Sequence, residues 1–347
     1  MIIAGVMSGS SLDGLDIALV EFRNNEWSIC ETVGIAYSEE WEERLRSYHK
    51  LSASEYISFK YAYSHYIGQL LKSSFIKSDS KVDYISFHGH TLVHNPEQGY
   101  TEQIGNGGII AGVTNTSTLT DFRSQDVALS GVGTPLAPFL EVNYFKGYDY
   151  YLNLGGIANI TSLIDDTISA YDVCPCNQVL NHYSLILGLP YDKGGSVASS
   201  GSFNEDLSNY FSSFEFFKQS PPKSLDNNWI RKEFVDGIPD AIVEDVLHTY
   251  CSWMAKCIAD QVKLGSTSKM YTSGGGAHNT FFISQLRSAL ALKNCELVIP
   301  SKEMIDYKEA ILMAALAKNY LENKPNILSQ VTGASRDNIG GALYKVS

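Results

Sequence analysis

Met1-Ile-Ile-Ala-Gly-Val-Met-Ser-Gly-Ser-Ser-Leu-Asp-Gly-Leu-Asp-Ile-Ala-Leu-Val-Glu-Phe22 opens the chain and sets its fold. The apolar run to Met7 predicts a buried strand, Ser8 to Gly14 a polar turn too rich in Gly and Ser for helix, and Asp16 to Phe22 a second strand. The result is a hairpin with a wide, hydroxyl-lined tip. Such a tip suits an anion: glycines let the backbone approach, N–H groups converge, Ser8, Ser10 and Ser11 add donors, and Asp13 can hold a hydrated Mg²⁺ against phosphate. An ordinary surface hairpin fits the same residues, so the rest of the chain must decide.

The 347 residues suffice for two domains, and 44% hydrophobic content supports real cores. Lys+Arg 26 against Asp+Glu 38 gives a net charge of -12, which argues against nucleic acid or an anionic membrane as the main partner. No apolar run approaches the roughly 20 residues that span a bilayer, and no basic-then-apolar leader opens the chain, so a cytoplasmic protein is expected. Six cysteines without a CxxC pair indicate neither a zinc site nor a disulfide framework. Cys174-Pro-Cys176 is the unusual pair, and thiols packed in a tight turn suit it better than a metal or redox role.

Beyond the hairpin, Trp27 to Tyr37 predicts a third strand and Glu39 to Lys50 a helix. Ala53 to Phe75 predicts a second, core-facing helix, because its apolar residues recur every three or four positions. Val82 to Phe87 is a short strand that delivers His88-Gly-His-Thr-Leu-Val-His94 as a polar loop. Three imidazoles invite a metal, but no carboxylate in the loop completes a ligand set, so hydrogen bonding to a small polar substrate fits better. Asp121 and Arg123 leave the next strand together. Arg123 can clamp a carboxylate bidentately, or pair structurally with Asp121 or Asp126.

A second cluster echoes the first: Tyr150-Tyr-Leu-Asn-Leu-Gly-Gly-Ile-Ala-Asn-Ile-Thr161 is strand, glycine turn at Gly155-Gly156, strand. Two such hairpins suggest a duplicated domain with a nucleotide in the cleft between the copies. Ala170 to Asn181 reads as strand, tight turn and helix N-terminus, which aims backbone donors at a ligand. Residues 203 to 235 carry weakly periodic, Phe-rich sequence, an expected insertion over the cleft. Ala241 to Leu264 is the clearest long helix, and Lys269 to Asn279 is a strand ending in Gly274, Gly275 and Gly276, where a base or ribose can lie on bare backbone. Ser301 to Leu321 is expected to be helical, with Asp306 and Glu309 one turn apart.

Three glycine turns at strand ends, with Asp13, Asp172 and Glu309 and no GxxxxGK[ST], resemble the sugar kinase, Hsp70 and actin superfamily. Within it the chain most resembles the anhydro-N-acetylmuramic acid kinases, through Gly5-Val-Met-Ser-Gly-Ser-Ser-Leu-Asp-Gly14, His88 to His94, Asp121-Phe-Arg123, Gly133-Thr-Pro-Leu136, Leu154-Gly-Gly-Ile-Ala-Asn-Ile160, Gly274-Gly-Gly-Ala-His-Asn279, Glu309-Ala310 and Val331-Thr-Gly-Ala334. The resemblance implies an α/β fold of two actin-like (ribonuclease H-like) ATPase domains, 1–148 and 149–320, with a tail, 321–347, packing back on the body. It implies a homodimer that uses ATP and Mg²⁺ to open 1,6-anhydro-N-acetylmuramic acid with water and phosphorylate O6 in cell-wall recycling. Ser8, Gly9, Ser10, Ser11, Asp13 and Gly14 would then hold the terminal phosphates, with Mg²⁺ on Asp13 through water. Gly155, Gly156 and Asn159 would make the second phosphate contact, and Gly274 to Gly276 with Asn279 would hold the adenosine. His88, Asp121, Arg123 and Glu309 would line the sugar, Arg123 taking its lactyl carboxylate.

One departure stands out. The family runs Asp-Thr-Gly-Pro-Gly-Asn and, a few residues on, an Asp that activates the water; here Asp172, Pro175 and Asn177 match, both glycines are Cys174 and Cys176, and the base position is Asn181. An amide accepts no proton at neutral pH. Another carboxylate, with Asp172 nearest in sequence, can take over; the substrate can be a different amino sugar; or the protein binds nucleotide and sugar as a sensor without turnover. A plain ATPase would leave the His88 and Arg123 segments without a ligand.

Overall fold

The computed structural model describes residues 1–9, 12, 14–24, 26–78, 81–165, 167–263 and 267–346. The chain divides into two units, Met1–Tyr144 with Tyr307–Ser347, and Phe145–Asp306.

In the first unit, β1 (Ile2–Met7), β2 (Gly14–Arg23) and β3 (Glu26–Ala36) form an antiparallel meander. After the helix Ala53–Lys77 the chain returns as β4 (Tyr84–Phe87), parallel to β1. The expected polar loop after it is instead a small hairpin of β5 (His90–Asn95) and β6 (Tyr100–Ile104), closed by a turn at Pro96–Gln98. Its residues are mostly polar, so apolar alternation gave no sign of it. β7 (Ser117–Thr120) then adds parallel to β4, and the chain's last strand, Ala342–Tyr344, pairs antiparallel with β7.

The helix Ala53–Lys77 lies on this sheet because Phe59, Tyr63, Ile67 and Leu71 recur every fourth residue and all four are buried. Burying side chains of that size stabilises by about 1.5–3 kcal/mol each. On the helix Lys308–Leu321 packing is closer still: a Cβ at Gly5 would stand 1.9 Å from the Ala310 carbonyl oxygen, so only glycine lets β1 and this helix meet. Ser86 on β4 donates its hydroxyl to Met313 O at 2.6 Å, and Lys308 meets Glu141 at 2.5 Å in a buried ion pair.

These contacts place Lys308–Leu321 in the first unit, not at the end of the second domain where sequence put it. The expected helix from 301 to 321 breaks at Tyr307, so Asp306 and Glu309 fall in different units rather than on one helical face. Beyond it, Asn326 bridges Leu316 and Gly340 with fully buried hydrogen bonds. Buried Asp126 accepts from Gly133 N at 2.8 Å, Thr332 Oγ1 at 2.8 Å and Asn338 Nδ2 at 2.9 Å. That carboxylate joins the Gly131–Pro138 loop to the tail motif 331–334.

The second unit repeats the topology. β8 (Tyr150–Leu154), β9 (Ile157–Ile164) and β10 (Thr167–Pro175) form the meander, and β11 (Ser268–Ser273) and β12 (Cys295–Val298) extend it in parallel from β8, in the order β10-β9-β8-β11-β12. The first sheet carries the same sequence of pairings, β3-β2-β1-β4-β7. Between β10 and β11 the predicted long helix spans Val243–Ala259. Residues 203 to 235 are short helical turns whose Phe211, Phe214, Phe217, Trp229 and Phe234 pack with Tyr250 and Trp253 into the unit's core. Cys174 and Cys176 are fully buried in the same core, where burial pushes the Cys176 thiol up to about 12, as expected of packed thiols.

Candidate functional site

In the first unit the parallel strands β1, β4 and β7 end on one edge and present Ser8, His88 and Asp121 there. His88 is 3% exposed, and its Nδ1 lies 2.9 Å from Gly89 O. A carbonyl oxygen only accepts, so Nδ1 carries the proton and Nε2 is a bare acceptor, buried and without a partner. Burial, then the Arg123 charge, lowers the His88 pKa to about 3, so the ring is neutral.

Arg123 precedes the short helix Ser124–Ala128, and its Nε is buried without a partner. Both carboxylates that sequence offered it are engaged elsewhere: Asp121 accepts from Ser124 N at 3.2 Å, and Asp126 holds the tail. Burial lowers the Arg123 pKa while the Glu309 charge opposes that shift. Glu309 keeps an exposed surface, yet desolvation raises its pKa against the pull of Lys308 and Arg123. His88, Asp121, Ser124, Gln103, Asn106 and Lys60 share the wall of a cavity of about 260 Å³. His94 stands nearby, bonded through Nδ1 to Thr101 Oγ1 at 2.9 Å, its pKa lowered by burial and by Arg123.

Ser8 departs from its expected role. Its hydroxyl points inward, 2.7 Å from the Tyr37 hydroxyl and 3.0 Å from His90 Nδ1, so the side chain is a support for the hairpin rather than a ligand donor. Gly9 and Gly14 flank the tip, Gly14 opening β2. Ser10, Ser11 and Asp13 lie outside the described residues.

In the second unit β8 and β11 run side by side and end at Gly155 and Gly274. Gly274 has φ +84°, and a Cβ there would lie 2.8 Å from the Leu154 backbone, so the turn requires glycine. A cavity of about 650 Å³ opens beside it, lined by Gly275, Gly276, Asn177, Asn181, Asn279 and Lys193, with Lys302 and Asp306 also on its wall. Asn279 caps the helix Thr280–Ala291 by accepting from Phe282 N at 3.0 Å. Asp306 is held by His278 at 3.0 Å and by Lys302.

The helix Asn177–Ile186 does not aim free donors at a ligand as expected. Cys176 N and Gln178 N donate to Gly156 O at 2.9 and 3.2 Å, and Asn177 N to Gly155 O at 3.1 Å. Any anion contact at this turn therefore falls to the N–H groups of the turn itself. Asn159 pairs with Asn153 on β8 and Asp172 on β10. Asp172 accepts from Leu225 N at 2.9 Å and Ser224 Oγ at 3.1 Å through one carboxylate oxygen, which ties down the 223–225 segment; it does not line the Asn181 cavity. Sequence reasoning missed Tyr37, Tyr63, Lys193 and Lys302, which carry no motif signal and come to these sites only through tertiary packing, and it singled out His90 only as part of the His88 to His94 segment.

A sheet of order 3-2-1-4-5 built twice in one chain, with glycine turns at the strand ends, is the duplicated α/β architecture expected of the actin-like, sugar-kinase class. The sequence profile of the anhydro-N-acetylmuramic acid kinases matches residues 1–346, and the chain belongs to that family. Among its relatives, the anhydro-N-acetylmuramic acid kinase of Nitrosomonas europaea is 32% identical over 99% of both chains. That of Zymomonas mobilis subsp. mobilis is 32% identical over 100% of both, and that of Vibrio parahaemolyticus is 32% identical over 98% of this chain and 97% of its own.

Proposed function

We propose that the protein is an ATP-dependent kinase acting on 1,6-anhydro-N-acetylmuramic acid in peptidoglycan recycling. The observation that carries this reading is the half-buried Arg123, whose Nε is buried without a partner; it has no carboxylate in ion-pair contact among the described residues and stands beside a neutral His88 with an open acceptor. A partly desolvated guanidinium calls for an anion, and a sugar bearing a lactyl carboxylate supplies one. His88 and Asp121 meet the sugar's polar groups and Glu309 stands beside Arg123.

ATP takes the second unit's cavity, with adenosine on Gly275, Gly276 and Asn279 of its wall and on the preceding Gly274; Gly155, Gly156 and Asn159 of the β8–β9 hairpin take a phosphate. Gly9, Gly14 and the neighbouring Ser10, Ser11 and Asp13 serve the terminal phosphates, with Ser8 supporting the hairpin from behind. Among the described residues no three His, Cys, Asp or Glu side chains converge as a metal cage. Mg²⁺ keeps most of its waters and needs one carboxylate, here Asp13, besides the phosphates. Bound there, it would neutralise phosphate charge.

In the reaction, water adds to C1 as the C1–O6 bond of the anhydro ring breaks, O6 bonds to the γ-phosphorus, ADP leaves, and the proton of the water passes to base or solvent. General-base assistance is worth about 10²–10⁴-fold, so with Asn181 at the base position turnover is slow rather than absent. No helix is long and apolar enough to cross a membrane among the described residues, and a cytoplasmic homodimer completes the proposal. The test is ADP release from Mg-ATP with 1,6-anhydro-N-acetylmuramic acid, with N-acetylmuramic acid, and without sugar. Release that depends on the anhydro sugar supports the reading. Nucleotide binding with no release under any condition removes it.

A further inference from the structure

Ser8 ends the strand that leads into the phosphate hairpin, and its hydroxyl is held by side chains from three other elements. Tyr37 Oη, just past β3, lies at 2.7 Å; His90 Nδ1, at the start of β5, at 3.0 Å; and Tyr63 Oη, within the helix Ala53–Lys77, at 3.3 Å. Tyr37 and Tyr63 hydroxyls are themselves 2.8 Å apart. Every member is buried, from 0% exposure at Tyr63 to 5% at Tyr37. Burial lowers the His90 pKa to about 4, so the ring is neutral and has one proton to place.

One proton arrangement serves all four contacts. Tyr37 donates to Tyr63, Tyr63 to Ser8, Ser8 to Tyr37, and His90 Nδ1–H to Ser8. Moving the His90 proton to Nε2 leaves four contacts to be filled by three hydroxyl hydrogens.

We propose that Ser8, Tyr37, Tyr63 and His90 form a positioning ring that fixes the Ser8–Gly9 end of the first hairpin, so that the Gly9 backbone meets the terminal phosphates of a nucleoside triphosphate in one geometry. The inference rests on reading that hairpin as the first phosphate contact. A Gly- and Ser-rich turn has many accessible conformations, and N–H groups bind an anion well only when they converge. A satisfied buried polar network selects one arrangement, because any slip leaves a hydroxyl unpaired. Apolar side chains of the same volume would fill the space without setting a direction. Pre-setting the turn also removes part of the ordering cost that nucleotide binding otherwise carries.

The experiment uses the full chain with Tyr63→Phe, His90→Leu and His90→Asn, the last keeping an N–H near the Nδ1 position. Calorimetry with magnesium and a non-hydrolysable ATP analogue, and separately with adenosine, is joined to KM values for ATP and sugar. Losing one neutral hydrogen bond is worth about 1 kcal/mol, so Kd for the analogue should rise about fivefold in His90→Leu, which loses one, and further in Tyr63→Phe, which loses two. Adenosine Kd and sugar KM should stay at wild-type values, and His90→Asn should return most of the lost affinity. A merely structural ring would lower the melting temperature and leave analogue Kd unchanged, or weaken analogue and adenosine alike; either result overturns the proposal. Should Tyr63→Phe fail to fold, the His90 pair decides. Wild-type binding with unaltered variants removes the positioning role alone, whereas no analogue binding to wild type removes the kinase reading and this inference with it.

Discussion

The two units share one strand order and differ in what stands at their strand ends. The first places ionisable groups there, the buried His88 and the half-buried Arg123, each with an unmatched buried hydrogen-bonding atom. The second places glycines and amides, Gly275, Gly276, Asn177, Asn181 and Asn279, around a cavity more than twice the volume of the first unit's. One topology thus carries two different linings: ionisable groups at one set of strand ends, and bare backbone with amides at the other. The glycines differ as well. Gly5 serves packing against backbone in the first unit, whereas a Cβ at Gly155 in the second would press only on the Asn153 side chain, at 3.3 Å.

That last contrast gives the largest expected effect. Gly5→Val should prevent the first unit from folding, because its Cβ would enter the Ala310 carbonyl, and overpacking of this kind costs about 1–3 kcal/mol or more. Gly155→Ala should fold, since its Cβ would meet Asn153 Nδ2 at 3.3 Å, yet lose most ATP-dependent turnover. Melting curves and activity of both variants check this. A stable Gly5→Val, or a fully active Gly155→Ala, would erase the contrast.

Next in size is the charge. Arg123→Ala should raise KM for a substrate carrying the lactyl acid by about 10–100-fold, as expected for losing a charged hydrogen bond of about 1.5–3 kcal/mol. KM for ATP should not move. An unchanged preference over a lactyl-free analogue would take the carboxylate away from Arg123.

The smallest effect is a pH slope that belongs to the first unit. His88 and His90 titrate near 6.5 when unfolded and at about 3 and about 4 when folded, both lowered chiefly by burial. The unfolded chain therefore binds more protons between those values, and stability is lost as pH falls through this window, by up to about 1.4 kcal/mol per pH unit for each histidine. Melting temperatures from pH 7.5 to 4.5 should drop accordingly, and His88→Asn should flatten the slope. An equal slope in that variant would show that His88 is not held neutral.

Both meanders were legible because apolar alternation broken by glycine turns marks hairpins wherever they fall, as at Met7 to Asp16 and Leu154 to Ile157. The break at Tyr307 was not. No Pro or Gly interrupts 301 to 321, and the helix ends there because Asp306 is drawn to His278 and Lys302 while Lys308 is drawn to Glu141, each within its own unit. The sense of the Ser8 hydroxyl was equally hidden, since its partners lie 29, 55 and 82 residues away. Motifs marked the segments at the strand ends; long-range packing decided which of their atoms stay without a partner.

The central claim is that the chain couples water addition at C1 to phosphorylation at O6. The most direct measurement is product mass after reaction with Mg-ATP and 1,6-anhydro-N-acetylmuramic acid in ¹⁸O-labelled water. The account predicts a product gaining one water and one phosphate, with the label on the sugar at C1 and none on the transferred phosphate. Label in free phosphate, with the sugar returned unchanged, would contradict it and leave an ATPase.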